Sequence, residues 1–337
     1  MKNRNVKFKI ILTLLFPLIL IIGCGPTAYK ITPIPISEEL QETVVAKDKG
    51  ILLPKIALID IDGMILNYRK SSLLGSTENP MALVIEKLDK AADDPRVKAI
   101  VLRINSPGGT VTASDIIYQH LLAIKKGDKI RKRLPKPIVV SMMDVCASGG
   151  YYIACSADEI FAEPTTITGS IGVVMMTFNL KGLMDKIGVT TDAIKSGPKK
   201  DAGSPFRPLK PDERKIFQDM INQFYNRFVT VVSQSRKIDE RQVRKLADGR
   251  IFSGQDAQKL GLIDKLGSLE DAIDAAKRLA KTKAATVIMY HRPTGYRGSI
   301  YSSSRISSST PAKNSIITVD LPNWFTTQGA FLYLWQP

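Results

Sequence analysis

Residues 98–126 read KAIVLRINSPGGTVTASDIIYQHLLAIKK, and this stretch decides the fold class. Its first eight residues form a nearly continuous apolar run, as a strand buried on both faces of a parallel sheet requires. SPGG at 106–109 then makes a glycine turn that enters a helix. The same order recurs downstream: KPIVVSMMD (136–144) is the next strand, and ASGGYYIACSAD (147–158) turns into the next helix. Upstream, KIALIDIDGMI (55–65) is an apolar strand and MALVIEKLDKAADD (81–94) carries apolar residues at helical spacing. EIFAEPTTITGSIGVVM (159–175) supplies short strands and turns. Alternation of this kind predicts an α/β domain with parallel pairing. Both glycine turns follow strands, where open α/β sheets present their sites.

The composition agrees with a globular chain of 337 residues, at 44% hydrophobic and 24% charged. Beyond residue 206 the pattern turns helical. Ile216, Met220, Phe224, Phe228 and Val231 fall on one stripe, with Pro211 in the first turn. FSGQDAQKLGLID (252–264) reads as a short helix capped by Ser253 and ended by Gly261, and LEDAIDAAKRLA (269–280) as one more helix.

The ends differ in character. Residues 1–24 have a basic start, MKNRNVKFK, then an apolar run that stops at IIGC. This is a signal-peptide pattern, shorter than a comfortable membrane span, and its end resembles the lipobox of bacterial lipoproteins. Cys24 is then the acylated residue, and the body lies on the extracytoplasmic side of a cell membrane. An uncleaved signal anchor is the alternative. Residues 25–52 have the Pro-rich, polar character of a tether, and the catalytic domain is expected over 53–290. Residues 291–337 begin with a Ser-rich low-complexity segment and end in LPNWFTTQGAFLYLWQP, aromatic enough to dock on a partner or near the membrane.

The remaining cysteines, Cys146 and Cys155, flank the second glycine turn and read as free core thiols. Neither the cysteines nor the two histidines have metal-ligand spacing, so no metal or cofactor is expected. The net charge of +16 includes the dense stretch KKGDKIRKRLPK (125–136), read as a solvated loop. No aromatic residues interleave its charges, which argues against nucleic acid as a partner.

The chemistry lies in the two turns together. Gly108 and Gly109 free backbone N–H groups near a helix N-terminus, and Gly149 follows Ser148. Read alone, Ser148 is a helix cap. Two N–H donors around one serine would instead form an oxyanion hole. A nucleophilic serine also needs a base. His120 sits in an apolar helix pattern, and His291 borders the low-complexity segment. Neither suits the role. IKSGPKKDAGSPF (194–206) offers Lys195, Lys199 and Lys200, and spacing does not choose among them. A lysine serves as a base only when neutral, a state that burial away from carboxylates favours.

Five ordered blocks between about 55 and 275 carry a family resemblance: VKAIVLRINSPGG, MMDVCASGGYYIACSADEIFA, TTITGSIGV, IKSGPKKDAGSPFRPL and DGRIFSGQDAQKLGLID. They resemble the SppA-type signal peptide peptidases, serine proteases of the Clp protease/crotonase fold. The resemblance implies an α/β fold with a parallel sheet and surrounding helices. It makes Ser148 the nucleophile and Lys200 its base, with Ser170 orienting the lysine and Gly109 and Gly149 as the oxyanion donors. It further implies signal peptides and other apolar peptides as substrates. Short-form members are expected to be homo-oligomers that take serine and lysine from adjacent protomers. Three rival readings remain. CoA-thioester enzymes of the same fold share the glycine pair but rely on carboxylates, and would not explain export. A peptidase of the NfeD-linked, stomatin-directed type would carry similar serine and lysine blocks, and a non-catalytic lipoprotein scaffold would keep the fold alone.

Overall fold

The apolar runs quoted above form the centre of a mostly parallel sheet. The computed structural model describes residues 39–68, 71–72, 75–76, 78–292 and 330–335. Its strands are β1 (Gln41–Lys47), β2 (Lys55–Asp62), β3 (Ser71–Ser72), β4 (Gly75–Ser76), β5 (Val97–Ser106), β6 (Gly108–Thr110) and β7 (Ile138–Ala147). They continue as β8 (Glu159–Ala162), β9 (Ile167–Gly169), β10 (Ile251–Ser253), β11 (Lys265–Leu266), β12 (Thr286–His291) and β13 (Leu332–Leu334). The main sheet runs β1-β12-β2-β5-β7-β8-β11, with β9 on the end of β7 and β10 beside it. Every main pairing from β12 to β11 is parallel, while β1 joins β12 antiparallel.

Period-two alternation divides each central strand between two cores. Ala57, Ile59, Ile61, Ile100, Leu102, Ile104, Val140 and Met142 face one, together with the helices Pro80–Asp93 and Val111–Lys126. Ile56, Leu58, Ala99, Val101 and Val139 face the other, against the helix Leu269–Leu279. That helix starts in a capping box: Ser268 accepts from the Asp271 amide and Asp271 accepts from the Ser268 amide. Burial on both faces explains the unbroken apolar runs Ile56–Ile59 of β2 and Ala99–Leu102 of β5, and further along the strands buried Arg103 donates from Nε to Asp60 at 2.8 Å.

Ser253 caps the helix Gly254–Lys259, and Gly261 follows its end with φ +73°. The helix Pro211–Arg236 begins with its proline as expected, but its apolar stripe is only half used. Phe228 and Val231 are buried, whereas Ile216 is 44% exposed. Among the described residues, the apolar positions in the first half of that helix stay at least partly exposed.

Two expectations shift at the ends. Residues 41–47, inside the stretch read as a tether, form β1 and pair with Thr286–His291. Ordered structure therefore starts before residue 53. Most of the low-complexity segment lies outside the described residues, as do the signal segment and Cys24. The aromatic end, however, supplies β13, which docks on this chain's own β6.

The basic stretch 125–136 is more than a solvated loop. Arg133 bonds Asp89 and Asp93, and buried Lys136 donates to the Asp94 and Val97 carbonyls. Desolvation lowers the Lys136 ammonium to about 8. Only the tip around Ile130 stands fully in solvent.

Candidate active site

Parallel pairing brings the two glycine turns side by side. Ser106 at the end of β5 pairs with Cys146 near the end of β7, so SPGG and ASGG leave the sheet next to each other. Ser148 stands between β7 and the helix Gly149–Ala154 with φ 52° and ψ −114°. A non-glycine residue held there stores about 1–3 kcal/mol, which the surroundings must offset. They do so at the backbone: Ser148 N–H donates to Gly169 O at 2.8 Å, and Ser148 O accepts from Tyr152 N–H at 2.8 Å.

The cap expected of an isolated serine is not made. Ser148 Oγ accepts nothing from the following helix, and with Tyr290 OH it is one of two buried side-chain oxygens without a partner among the described residues. A polar atom buried unsatisfied costs stability, so its placement points to use outside the fold's own hydrogen bonding.

A segment of the chain itself lies across the two glycine turns. β13 lies antiparallel on β6, with Tyr333 opposite Gly109. Bonds from Val111 N–H to Phe331 O (3.2 Å) and from Trp335 N–H to Pro107 O (2.8 Å) set the phase. That phase directs the Gly109 N–H at the Tyr333 carbonyl. A methyl group on Gly108, whose φ is +105°, would stand 2.0 Å from Tyr333 O and 2.7 Å from Gly149 N. One on Gly149 would stand 3.1 Å from both Gly109 N and Tyr333 O. The two amide nitrogens and one peptide carbonyl therefore converge on a space the size of a methyl group, beside Ser148. On its other edge the segment is bridged to Val174 by two bonds of 3.0 Å through Leu332.

Gly108→Ala fills that space. It is expected to lower kcat/KM by about 10²-fold or more, the usual loss when an oxyanion donor is disturbed. Steady-state kinetics beside a thermal melt would separate this from unfolding.

Ser170, buried with φ 49°, donates its N–H to Arg250 O at 2.8 Å. It shares a cleft of about 490 Å3 with Ser148, Gly172, Val174, Leu334 and Trp335. Among the described residues no lysine lines that cleft. The three candidate lysines lie on an excursion between Val174 and Pro211. No residue from 175 to 210 is buried, and Leu183, Ile187, Val189 and Ile194 are exposed.

The lysines differ in company. Lys195 pairs with Asp201 at 2.7 Å, and Lys199 pairs with Asp212. Arg207 and then Lys195 hold the Asp201 carboxyl well below the usual range. Lys200 has no ion pair or side-chain hydrogen bond among the described residues. It is thus the candidate free of carboxylates, though not adjacent to Ser148 in one chain.

The histidines stay out of the cleft. His120 Nε2 lies 3.1 Å from Asp89, and His291 is buried at the end of β12 beside Thr43. Cys146 and Cys155 are free and buried. Burial pushes both thiols up, Cys155 to about 12, as packing residues require.

The site residue that sequence reasoning missed is Tyr333. FLYLW was legible as an apolar aromatic run, but nothing local said which groove it would enter.

Comparison with known proteins completes the picture. The profile of Peptidase family S49 matches residues 130–283, a span that holds Ser148, Ser170 and Lys200. That of Clp protease matches residues 55–159, which hold both glycine turns. A provisionally assigned signal peptide peptidase SppA of Enterococcus faecium is 38% identical over 258 residues, 77% of this chain and 72% of the relative. Protease 4 of Haemophilus influenzae is 37% identical over 69% of this chain but 36% of its own length. The chloroplastic serine protease SPPA of Arabidopsis thaliana is 37% identical over 63% of this chain and 31% of its own.

Proposed function

The chain belongs to peptidase family S49 and is a serine peptidase of the SppA type, and from this premise we propose a membrane-anchored endopeptidase that uses Ser148 as nucleophile and Lys200 as base. The observation that carries it is the Tyr333 carbonyl, seated where the Gly109 and Gly149 amides converge beside an unpartnered serine oxygen.

The chemistry follows from those atoms. A neutral lysine amine takes the Ser148 proton as Oγ adds to a peptide carbonyl. The oxygen gains negative charge and is held by the two glycine amides. The C–N bond breaks, the lysine proton goes to the departing amine, and an ester on Ser148 remains. Water, deprotonated by the same lysine, releases the acid and restores the hydroxyl. Ser170, on the wall of the same cleft, would accept a hydrogen bond from the arriving ammonium and orient it.

Lys200 reaches this site from a neighbouring copy. The excursion that carries it exposes Leu183, Ile187, Val189 and Ile194, an apolar surface that a second chain would cover. The adjoining helix leaves half its stripe unused, and its exposed Ile216 extends the same unmet surface.

Substrates are apolar peptides, signal peptides among them. The groove is edged by backbone donors and acceptors that pair with any extended chain, and Val173, Val174, Met176 and Leu334 give its cleft an apolar wall. The chain acts on the extracytoplasmic side of a cell membrane, held by lipid on Cys24. No helix among the described residues is long and apolar enough to cross a membrane. Cys24→Ser is expected to move the mature protein from the detergent to the aqueous phase in a cloud-point partition. Retention in the detergent phase would favour an uncleaved signal anchor instead.

Turnover of a fluorogenic apolar peptide, compared between wild type and Ser148→Ala, tests the peptidase reading. Equal turnover by both would end it.

A further inference from the structure

We infer that Arg207 is a positioning residue for the base: its guanidinium ties the turn that carries Lys200 to the first turn of the helix Pro211–Arg236, and so fixes where the amine is offered to the neighbouring copy. This rests on the reading of Lys200 as a base supplied from a second chain.

Packing does not hold that turn, since no residue from 175 to 210 is buried. Hydrogen bonds do. Lys200 N–H donates to Gly197 O at 3.2 Å, Ala202 N–H to Lys199 O at 3.1 Å and Ser204 N–H to Asp201 O at 3.1 Å. These bonds shape the turn from within, and Arg207 links it outward. Nε donates to Asp201 Oδ2 at 2.8 Å and Nη2 to Asp201 O at 3.0 Å, on the residue directly after Lys200. On the other side Nη1 and Nη2 donate to the two carboxylate oxygens of Glu213 at 2.9 and 2.7 Å, and Nη1 also to Pro208 O at 3.1 Å. A guanidinium presents five N–H donors in a rigid fork, and these five bonds use them all.

The helix end of this clamp is the firm one. The Glu213 side chain is fully buried, and it also accepts the Lys210 N–H at 3.2 Å. Its helix is anchored further along, where Phe228, Val229, Val231 and Val232 are buried. From Glu213 to Phe228 is about 22 Å of α-helix at 1.5 Å per residue, stiff enough to carry the order of the core out to an exposed turn. The same bonds occupy the Asp201 carboxylate, which accepts from Lys195 as well at 2.7 Å. The carboxylate next to Lys200 in sequence is thereby kept from pairing with it.

The size of the effect follows from geometry. Displacing a catalytic group by about 1 Å costs about 10²-fold in rate. Arg207→Ala is therefore expected to lower kcat by about 10²-fold with KM within about twofold of wild type, because the substrate groove is built from other elements. Arg207→Lys recovers little of this, since an ammonium lacks the planar fork that serves both carboxylates at once. Arg207→Ala also strands the buried Glu213 carboxylate, which endangers the fold. Asp201→Ala avoids that: it leaves the Arg207–Glu213 pair intact and cuts the side-chain link to the turn. Its expected loss in kcat is about 10-fold, with the melting temperature little changed.

The deciding experiment asks which half of the shared site is damaged. Full-length Arg207→Ala chains are dissociated and reassembled with Ser148→Ala chains. The mixture should recover about a quarter of wild-type kcat/KM, because the first chain still offers Ser148 and the second brings Lys200 with its own Arg207. Chains carrying both Ser148→Ala and Arg207→Ala are mixed in parallel with Lys200→Ala chains. That mixture should stay at least about 10-fold below the first, since every lysine then comes without its clamp. Where Arg207→Ala does not fold, Asp201→Ala takes its place in both mixtures with the same expected order.

Ser148→Ala with Lys200→Ala is the reference pair. If it recovers activity and neither test mixture does, Arg207 supports the whole chain and not the base, and the inference is overturned. Equal recovery in both test mixtures, or an unaltered kcat in both Arg207→Ala and Asp201→Ala, overturns it too. If the reference pair itself stays inactive, the shared site falls, and this inference with it.

Discussion

Ser148→Ala is expected to leave less than about one part in 10⁴ of the wild-type kcat/KM on an apolar peptide, the loss typical of removing a covalent nucleophile. The fold should not suffer. The variant keeps the same Cβ at φ 52°, so the backbone cost is unchanged, and every hydrogen bond at the position is made by the main chain. Only an oxygen that bonds nothing is removed. Deleting a buried, unsatisfied polar atom is neutral or stabilising. The expected pair of results is therefore a dead enzyme with an unchanged or higher melting temperature. A strongly destabilised variant would mean that Ser148 is structural after all, and retained activity would remove it from the mechanism.

Lys200→Ala is expected to lose activity on the same scale, whereas Lys199→Ala keeps most of it. The distinction rests on carboxylates. Lys199 is tied to Asp212 and Lys195 to Asp201, so each of these side chains already holds a carboxylate partner within its own chain. Lys200 is adjacent in sequence but has no such partner among the described residues. Losing the exposed Lys199–Asp212 pair should leave stability essentially unaltered. Kinetics on the three single variants would check this. A larger loss from Lys199→Ala than from Lys200→Ala would reassign the base.

Much of the fold was legible because burial on both faces leaves a plain sequence signature. KIALIDID, VKAIVLRINS and IVVSMMDVCA each hold an unbroken run of three or four apolar residues, and each is central in the sheet. The two glycine turns were legible for a related reason: at 108 a side chain would strike Tyr333 O and Gly149 N, so the turn can hold nothing larger. β1 was not legible. QETVVAK is an edge strand with one antiparallel neighbour, and its half-exposed pattern resembles the polar tether before it. The seat of FLYLW was hidden too, because its pairing joins residues separated by more than two hundred positions. For the base, the sequence placed three lysines within six residues, and only their ion pairs in three dimensions tell them apart.

The central claim is a site assembled from two copies, with Ser148 from one and Lys200 from the next. Mixing Ser148→Ala chains with Lys200→Ala chains, after dissociation and reassembly, tests it most directly. Each variant alone is inactive, but random reassembly places an intact Ser148 beside a neighbour's intact Lys200 at about a quarter of the sites. The mixture should therefore recover about a quarter of wild-type activity. A mixture as inactive as its components would contradict the account, because serine and lysine would then have to come from the same chain.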